Sequence, residues 1–320
     1  MARVGRALIA AAAALGILGA GSGHLPPQPS RGPAPPILRF VTFNLLHGGI
    51  FSELTGNDAA LEERLAVAVA GLQALDPDVI ALQEASTGRH RGDVAARLAA
   101  ALGYGHVQAV AAIRPLGSEH LRRMVASILG FSEGPAILSR YPIMRWQALE
   151  LPPCENGFDA RVLLFAEVET PAGPLAVFSA HTSGNVCQTR AVAKLVRASA
   201  GPRPAVLMGD FNATATSPEV RALTEDAGFV DVFARGNPAA AGFTDGQDVA
   251  SDRATASRRI DYVFLVPGAR SGARVIGSRV VLDQPGGPGR ARWPSDHYGV
   301  LAEIALDQAG AVTPVNGACP

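Results

Sequence analysis

Short apolar runs alternate with amphipathic stretches along most of the chain, and their periods separate strands from helices. A β-rich run from Leu38 to Leu45 predicts a first strand. From about Asp58 to Leu75 the apolar residues Leu61, Leu65, Val69 and Leu72 recur at helical spacing. Asp58, Glu62 and Glu63 suit the positive end of that helix, and Asp76-Pro77 stops it. Val79 to Gln83 reads as a short buried strand with Glu84 at its C-terminal tip, followed by a helix from Asp93 to Leu102 and a strand near Ala136 to Leu138. Further on, the pattern predicts helices over Gln188 to Ala200 and Ser217 to Ala227. It predicts strands over Ala205 to Met208, Arg259 to Val266, Arg274 to Leu282 and Gly299 to Ala305.

The most informative local pair is Val162 to Thr170 and Leu175 to His181, joined by the turn residues Pro171-Ala172-Gly173-Pro174. A hairpin here sets opposite one another residues whose numbers sum to about 342–345. Cys154 and Cys187 fall close to that register, which predicts a disulfide between them in an oxidising compartment; two free buried thiols are the alternative.

Hydrophobic residues make up 48% of the 320 and charged residues 18%, enough apolar surface to build a core and too much for a mainly disordered chain. Arg3 and Arg6 precede the apolar stretch Ala7 to Ala20, which is shorter than a membrane span and has the form of a signal peptide over residues 1–22. An uncleaved anchor is the alternative. Residues 23–37 are a proline-rich linker, 38–306 a single domain and 307–320 a tail that frays, where Cys319 is left over. The 28 basic and 28 acidic residues balance, and cleavage after Ser22 leaves 26 basic against 28 acidic. That excludes the overall positive field of a protein that grips nucleic acid by charge alone. The cysteine spacing also excludes a structural zinc site.

Candidate chemistry lies where polar residues end apolar strands, because a buried carboxylate or imidazole without a partner costs several kcal/mol. Asn44, Glu84, His181, Asp210, Asn212, Asp261, Asp296 and His297 all sit at such positions, and strand alternation would send Asp210 and Asn212 to one side with Phe211 to the other. No nucleophilic Ser or Cys accompanies them. Oxygen ligands such as Glu84 and Asp296 suit Mg2+ or Mn2+. The amides of Asn44 and Asn212 and the imidazoles of His181 and His297 can donate to phosphoryl oxygens, and one carboxylate remains as a base. These are the parts for metal-assisted attack of water on a phosphoester.

Six ordered segments carry a family resemblance: Thr42-Phe43-Asn44, Asp78 to Glu84 (DVIALQE), Ala136 to Ile143 (AILSRYPI), Gly209-Asp210-Phe211-Asn212, Arg259 to Phe264 (RIDYVF) and Ser295-Asp296-His297. Together they resemble the motifs of the endonuclease/exonuclease/phosphatase (DNase I-like) superfamily. The resemblance implies a four-layer α/β/β/α sandwich of two packed mixed sheets flanked by helices, with the site at one end of the sheets. It implies Glu84 as main metal ligand, supported by Asn44 and Asp296, and Asp210 as the group that orients or deprotonates water. Asn212 and His181 would hold non-bridging oxygens, and His297, paired with Asp261, would stabilise the transition state. His181-Thr182 departs from the usual His-Leu, and the mid-chain tyrosine of some nuclease members has no secure counterpart.

Basic residues beside the motifs form an expected cationic rim: Arg89, His90, Arg91, Arg258, Arg259, Arg290 and Arg292, with Arg114, Arg122 and Arg123 in a long loop. Arg259 is the rim residue expected to touch substrate. His47 adjoins the site as either a turn residue or a contact. The expected protein is an exported, monomeric hydrolase of small or lipid-linked phosphoesters. The alternatives are a secreted nuclease of the same fold and a catalytically inactive binding module.

Overall fold

A computed structural model describes residues 34–46, 60–88, 91–111, 131–154, 161–269, 272–287, 289 and 292–307. The chain divides into Met1–Ala34 and Pro35–Pro320, and every element below lies in the second unit. The signal peptide, most of the linker, the tail after Asp307, Cys319, His47, Arg89, His90, Arg114, Arg122, Arg123, Arg290 and the apolar run 125–130 lie outside the described residues.

In chain order the strands are β1 (Ile37–Asn44), β2 (Val79–Gly88), β3 (Gly92–Asp93), β4 (Gly105–Gln108), β5 (Phe131–Ser139), β6 (Ile143–Glu150), β7 (Val162–Thr170), β8 (Gly173–His181), β9 (Ala205–Asp210), β10 (Val230–Asp231), β11 (Asp261–Val266), β12 (Ala273–Val281) and β13 (Gly299–Leu306). The helices are α1 (Leu61–Leu75), α2 (Val94–Leu102), α3 (Val186–Ala200), α4 (Pro218–Arg221) and α5 (Val232–Gly236). One sheet has the order β12-β13-β1-β2-β5-β4, with β3 on β2; the other runs β10-β11-β9-β8-β7-β6. Each sheet is mixed. Among the described residues each has one parallel pair, β1 with β2 or β8 with β9, closed by a helical crossover through α1 or α3.

Three apolar layers hold this together. Between the sheets lie Phe40, Ala81, Leu164, Val177, Met208 and Val300. Val41, Ile80 and Leu82 face the other way onto α1 and α2, while Phe178, Leu207 and Phe264 face α3. Both faces of the central strands are therefore buried, which is why their sequences read as unbroken apolar runs. Each such Leu, Val or Phe contributes roughly 1.5–3 kcal/mol on leaving water. The result is the expected four-layer sandwich of helices on two packed mixed sheets.

Several elements differ in detail from the sequence pattern. β2 does not stop at Glu84. It runs on to Gly88 through a register shift between Leu82 and Ala85, with Glu84 at φ 54. The predicted helix from Ser217 ends as a π-helical turn over Ala222–Asp226, where Thr224 donates its hydroxyl to the Val220 carbonyl. β6 carries no signal because it is an edge strand exposed at most positions, with no buried face to impose alternation. The hairpin pairs Leu163 with Ala180 and Thr170 with Gly173, inside the expected register, although the turn is tighter than the four residues expected.

Cys154 and Cys187 form a disulfide with Cα atoms 6.0 Å apart. The route to it is not the hairpin register, since Cys154 follows β6 and Cys187 lies in the first turn of α3.

Candidate active site

The parallel crossovers decide where the site forms. Asn44 ends β1, His181 ends β8 and Asp210 ends β9, so each leaves its sheet at the carboxyl edge of a parallel pair. The antiparallel neighbours enter at the same edge: Asp261 opens β11 directly opposite Asp210, and His297 lies just before β13. Close approach of strands is part of the construction. Gly209 lies on β8 so tightly that an added Cβ would meet the Ala180 carbonyl oxygen at 2.0 Å.

Asn44 is 1% exposed and spans the two sheets. Its Nδ2 donates to Glu84 Oε1 at 3.1 Å and to Asp210 Oδ2 at 3.0 Å, while its Oδ1 accepts from the Leu46 amide at 3.1 Å. Asp210 Oδ1 accepts from the Asn212 amide at 2.8 Å, and Oδ2 lies 3.6 Å from His181 Nε2 and 3.9 Å from His297 Nε2. Asn212 Nδ2 lies 3.1 Å from His181 Nε2 and donates to the Thr182 carbonyl at 2.9 Å. Asp210 and Asn212 thus meet around His181. They do so through a left-handed backbone at Asn212, φ 49, rather than through continued strand alternation, while Phe211 enters the core. Thr182 is fully buried and donates to the Phe211 carbonyl at 2.8 Å, so the departure from His-Leu serves to pin this turn.

His297 pairs through Nδ1 with Asp261 Oδ2 at 2.9 Å, as expected. Asp261 is completely buried and its Oδ1 has no hydrogen-bond partner among the described residues. Burial opposes a charge on His297, but Asp261, Asp210 and Asp296 outweigh it and hold the imidazole well above its usual range. Burial, reinforced by the charge of Asp261, pushes Asp210 up to about 7. Burial also raises Asp296, and the Glu84 and Asp245 carboxylates add to that rise against the opposing charge of His297. Two acids and an imidazole with displaced affinities for protons in one pocket are the ingredients of acid–base work.

Candidate metal positions follow from these groups. One atom each from Asp210, Asp261 and His297 lie within 4.8 Å of one another, a buried group that could hold a cation. Asp261 Oδ2 and His297 Nδ1 already pair there. On the more open side, Asp296 feels the negative charge of Glu84, a repulsion that a divalent ion between oxygen ligands would relieve.

Arg259 is not brought to the site. It is 8% exposed, its guanidinium pairs with Asp231 at 2.8 Å, and it stacks over Tyr262 and Phe233. The expectation that it touches substrate is thereby corrected: the guanidinium is committed to the Asp231 carboxylate and to the faces of the Tyr262 and Phe233 rings. Among the described rim residues, Arg258 is held by Asp245 at 2.6 Å, Arg91 is buried against Ser86 and Arg292 is exposed.

Two contributors escaped the sequence reading. Asp245 Oδ1 lies 3.4 Å from His297 Nε2, and the Thr244 hydroxyl accepts from the amides of Ile260 and Asp261. Both belong to a loop without apolar period, so only tertiary placement reveals them. The sole local hint was an acid flanked by glycines, Gly242 to Gly246, a pattern that ordinarily marks a turn.

The profile described as the Endonuclease/Exonuclease/phosphatase family matches residues 41–297. No curated protein sequence matches the chain. Among solved structures, an endonuclease/exonuclease/phosphatase from Beutenbergia cavernae is 27% identical, with 85% of this chain and 72% of that one covered and a TM-score of 0.62. A mannosyl-6-phosphatase from Bacteroides thetaiotaomicron is 21% identical over 84% of this chain and 99% of its own, TM-score 0.63. TDP2 from Caenorhabditis elegans is 12% identical over 84% and 74%, TM-score 0.58. The latter two share the fold. With its motifs inside the matched span and gathered at one edge of the sandwich, the chain belongs to the endonuclease/exonuclease/phosphatase family and is a phosphoester hydrolase.

Proposed function

We propose that this protein is an exported, Mg2+-dependent hydrolase of small or lipid-linked phosphoesters. The observation that carries the reading is the amide of Asn44, which joins Glu84 to Asp210 beside the Asp261–His297 pair. Glu84, with Asn44 and Asp296, would hold the cation, which when bound polarises the phosphoryl group and neutralises its charge. Mn2+ would fit the same oxygen donors.

The remaining roles belong to the chain. Asp210 Oδ2 receives the proton of the attacking water, and the raised proton affinity of its carboxyl suits a base working near neutrality. Asn212 and His181, 3.1 Å apart, donate to non-bridging oxygens. His297, kept protonated by Asp261, faces charge developing on the phosphoryl group, and Asp261 orients the ring through Nδ1.

Substrate class and export rest on different support. The balance of 28 basic and 28 acidic residues, with Arg258 and Arg259 each paired to a carboxylate, favours a compact phosphoester over the nuclease reading. The Cys154–Cys187 disulfide and the N-terminal Arg-plus-apolar pattern support passage to an oxidising compartment.

The test incubates the chain from Gly23 onward with a sugar phosphate, phospholipids, sphingomyelin, a generic phosphodiester, plasmid DNA and RNA, with Mg2+ or EDTA. Turnover of a small or lipid-linked ester, abolished by EDTA, by His297→Ala and by Asp210→Asn, is expected. Faster salt-sensitive cleavage of DNA or RNA would replace this reading with the nuclease. Equal rates in wild type and both variants would refute the site.

A further inference from the structure

Arg64 is among the most completely buried large side chains, 2% exposed on the inward face of α1, where a helix normally places leucine. Its guanidinium gathers main-chain oxygens. Nη1 donates to the Leu45 carbonyl at 2.9 Å and to the Pro294 carbonyl at 3.1 Å, and Nη2 donates to the Leu46 carbonyl at 2.8 Å. Leu45 and Leu46 follow Asn44, and Pro294 precedes Ser295-Asp296-His297. One planar cation therefore joins the segment leaving β1 to the segment entering β13.

The connection reaches the reacting groups in a single relay on each side. Leu46, whose carbonyl Arg64 holds, gives its amide to Asn44 Oδ1, and this leaves Asn44 Nδ2 directed at Glu84 and Asp210. On the other side, Pro294 starts the turn in which the Ser295 hydroxyl binds the His297 amide at 3.2 Å and Asp296 Oδ1 at 3.1 Å. We infer that Arg64 is a positioning residue, setting the separation between the Asn44–Glu84 half of the site and the Asp296–His297 half. A planar fork with several fixed donors can do this, whereas a lysine ammonium offers a single point of attachment on a differently shaped stem.

The inference rests on the hydrolase reading, and its test separates the two. Arg64→Lys and the control Leu72→Ala, a core truncation on the same helix, are compared with wild type for Tm in EDTA, kcat and KM well below every Tm, and Mn2+ affinity by electron paramagnetic resonance. Both variants are expected to melt earlier. Arg64→Lys should lose about 10–100-fold in kcat with little change in KM and should bind Mn2+ several-fold more weakly, as groups that orient ligands do. Leu72→Ala should keep kcat and Mn2+ affinity within about twofold of wild type, a core truncation being felt as lost stability. Unchanged kcat and Mn2+ affinity in Arg64→Lys, or equal losses in Leu72→Ala, would overturn the inference. Should wild type turn over no phosphoester, the hydrolase reading fails by itself and the Mn2+ comparison still decides the role of Arg64.

Discussion

Asp210 is caught between two demands. As a base it must be available as a carboxylate, yet burial beside Asp261 raises its folded-state proton affinity from near 3.8 to about 7. A raised folded value means the associated stability is present below about 3.8 and lost as pH rises toward about 7. Asp210→Asn removes that dependence. In EDTA, the Tm of Asp210→Asn relative to wild type should increase steadily from about pH 4 to about pH 7, while turnover is lost. A difference that shrinks over this window, followed by differential scanning fluorimetry, would contradict the burial assigned to Asp210.

The legibility of single residues followed their chemistry. Asn44, Glu84, His181, Asp210, Asn212, Asp261, Asp296 and His297 could be picked out because each is a polar interruption at the end of an apolar run, a costly event that marks itself. Arg259 stood in the same setting and misled. A strand-end arginine reads alike whether it faces solvent or, as here, stacks on rings and pairs with Asp231. Arg64 and Asp245 had no such setting and passed as an ordinary helix arginine and a turn acid.

At the scale of elements, burial on two sides made β1, β2, β8, β9 and β11 readable, and exposure hid β6. The extension of β2 beyond Glu84 was hidden for another reason. A bulge changes pairing without changing composition, and it is the bulge that turns Glu84 into the site. The Cys154–Cys187 bond joins the exit of β6 to the start of α3, a few residues after His181. Closing a loop with a sequence separation of 33 should contribute about 3–4 kcal/mol in the chain-entropy model. Cys154→Ser with Cys187→Ser should lower the urea midpoint accordingly, and reductant should shift wild type to the same value. A midpoint unchanged by both treatments would show that the bond is not formed in solution.

For the whole molecule, two half-sites on separate sheets must be held in register by a buried polar seam. Gln83 donates to Ser179 at 3.2 Å across the sheets and accepts from Thr42, and Ser179 donates to the Leu82 carbonyl. A cation held by Glu84, Asn44 and Asp296, which come from β2, the end of β1 and the segment entering β13, far apart in the chain, should stabilise the fold by mass action, by about 2.7 kcal/mol at a hundredfold excess over Kd. Saturating Mg2+ is expected to raise the Tm of wild type and to leave that of Glu84→Gln nearly unmoved. An equal rise in both would place the ion elsewhere.

Local pattern alone determined which segments become the strands and helices of the buried layers, and the order of their polar ends, because period and burial are written in neighbouring residues. Only the tertiary structure decided which arginines face the site, where the chain bulges at Glu84, and that Arg64, Asn44 and Asp245 connect what the sequence scatters. Those outcomes depend on distances between segments far apart along the chain. Such distances are set by sheet order and crossover, and no local period encodes them.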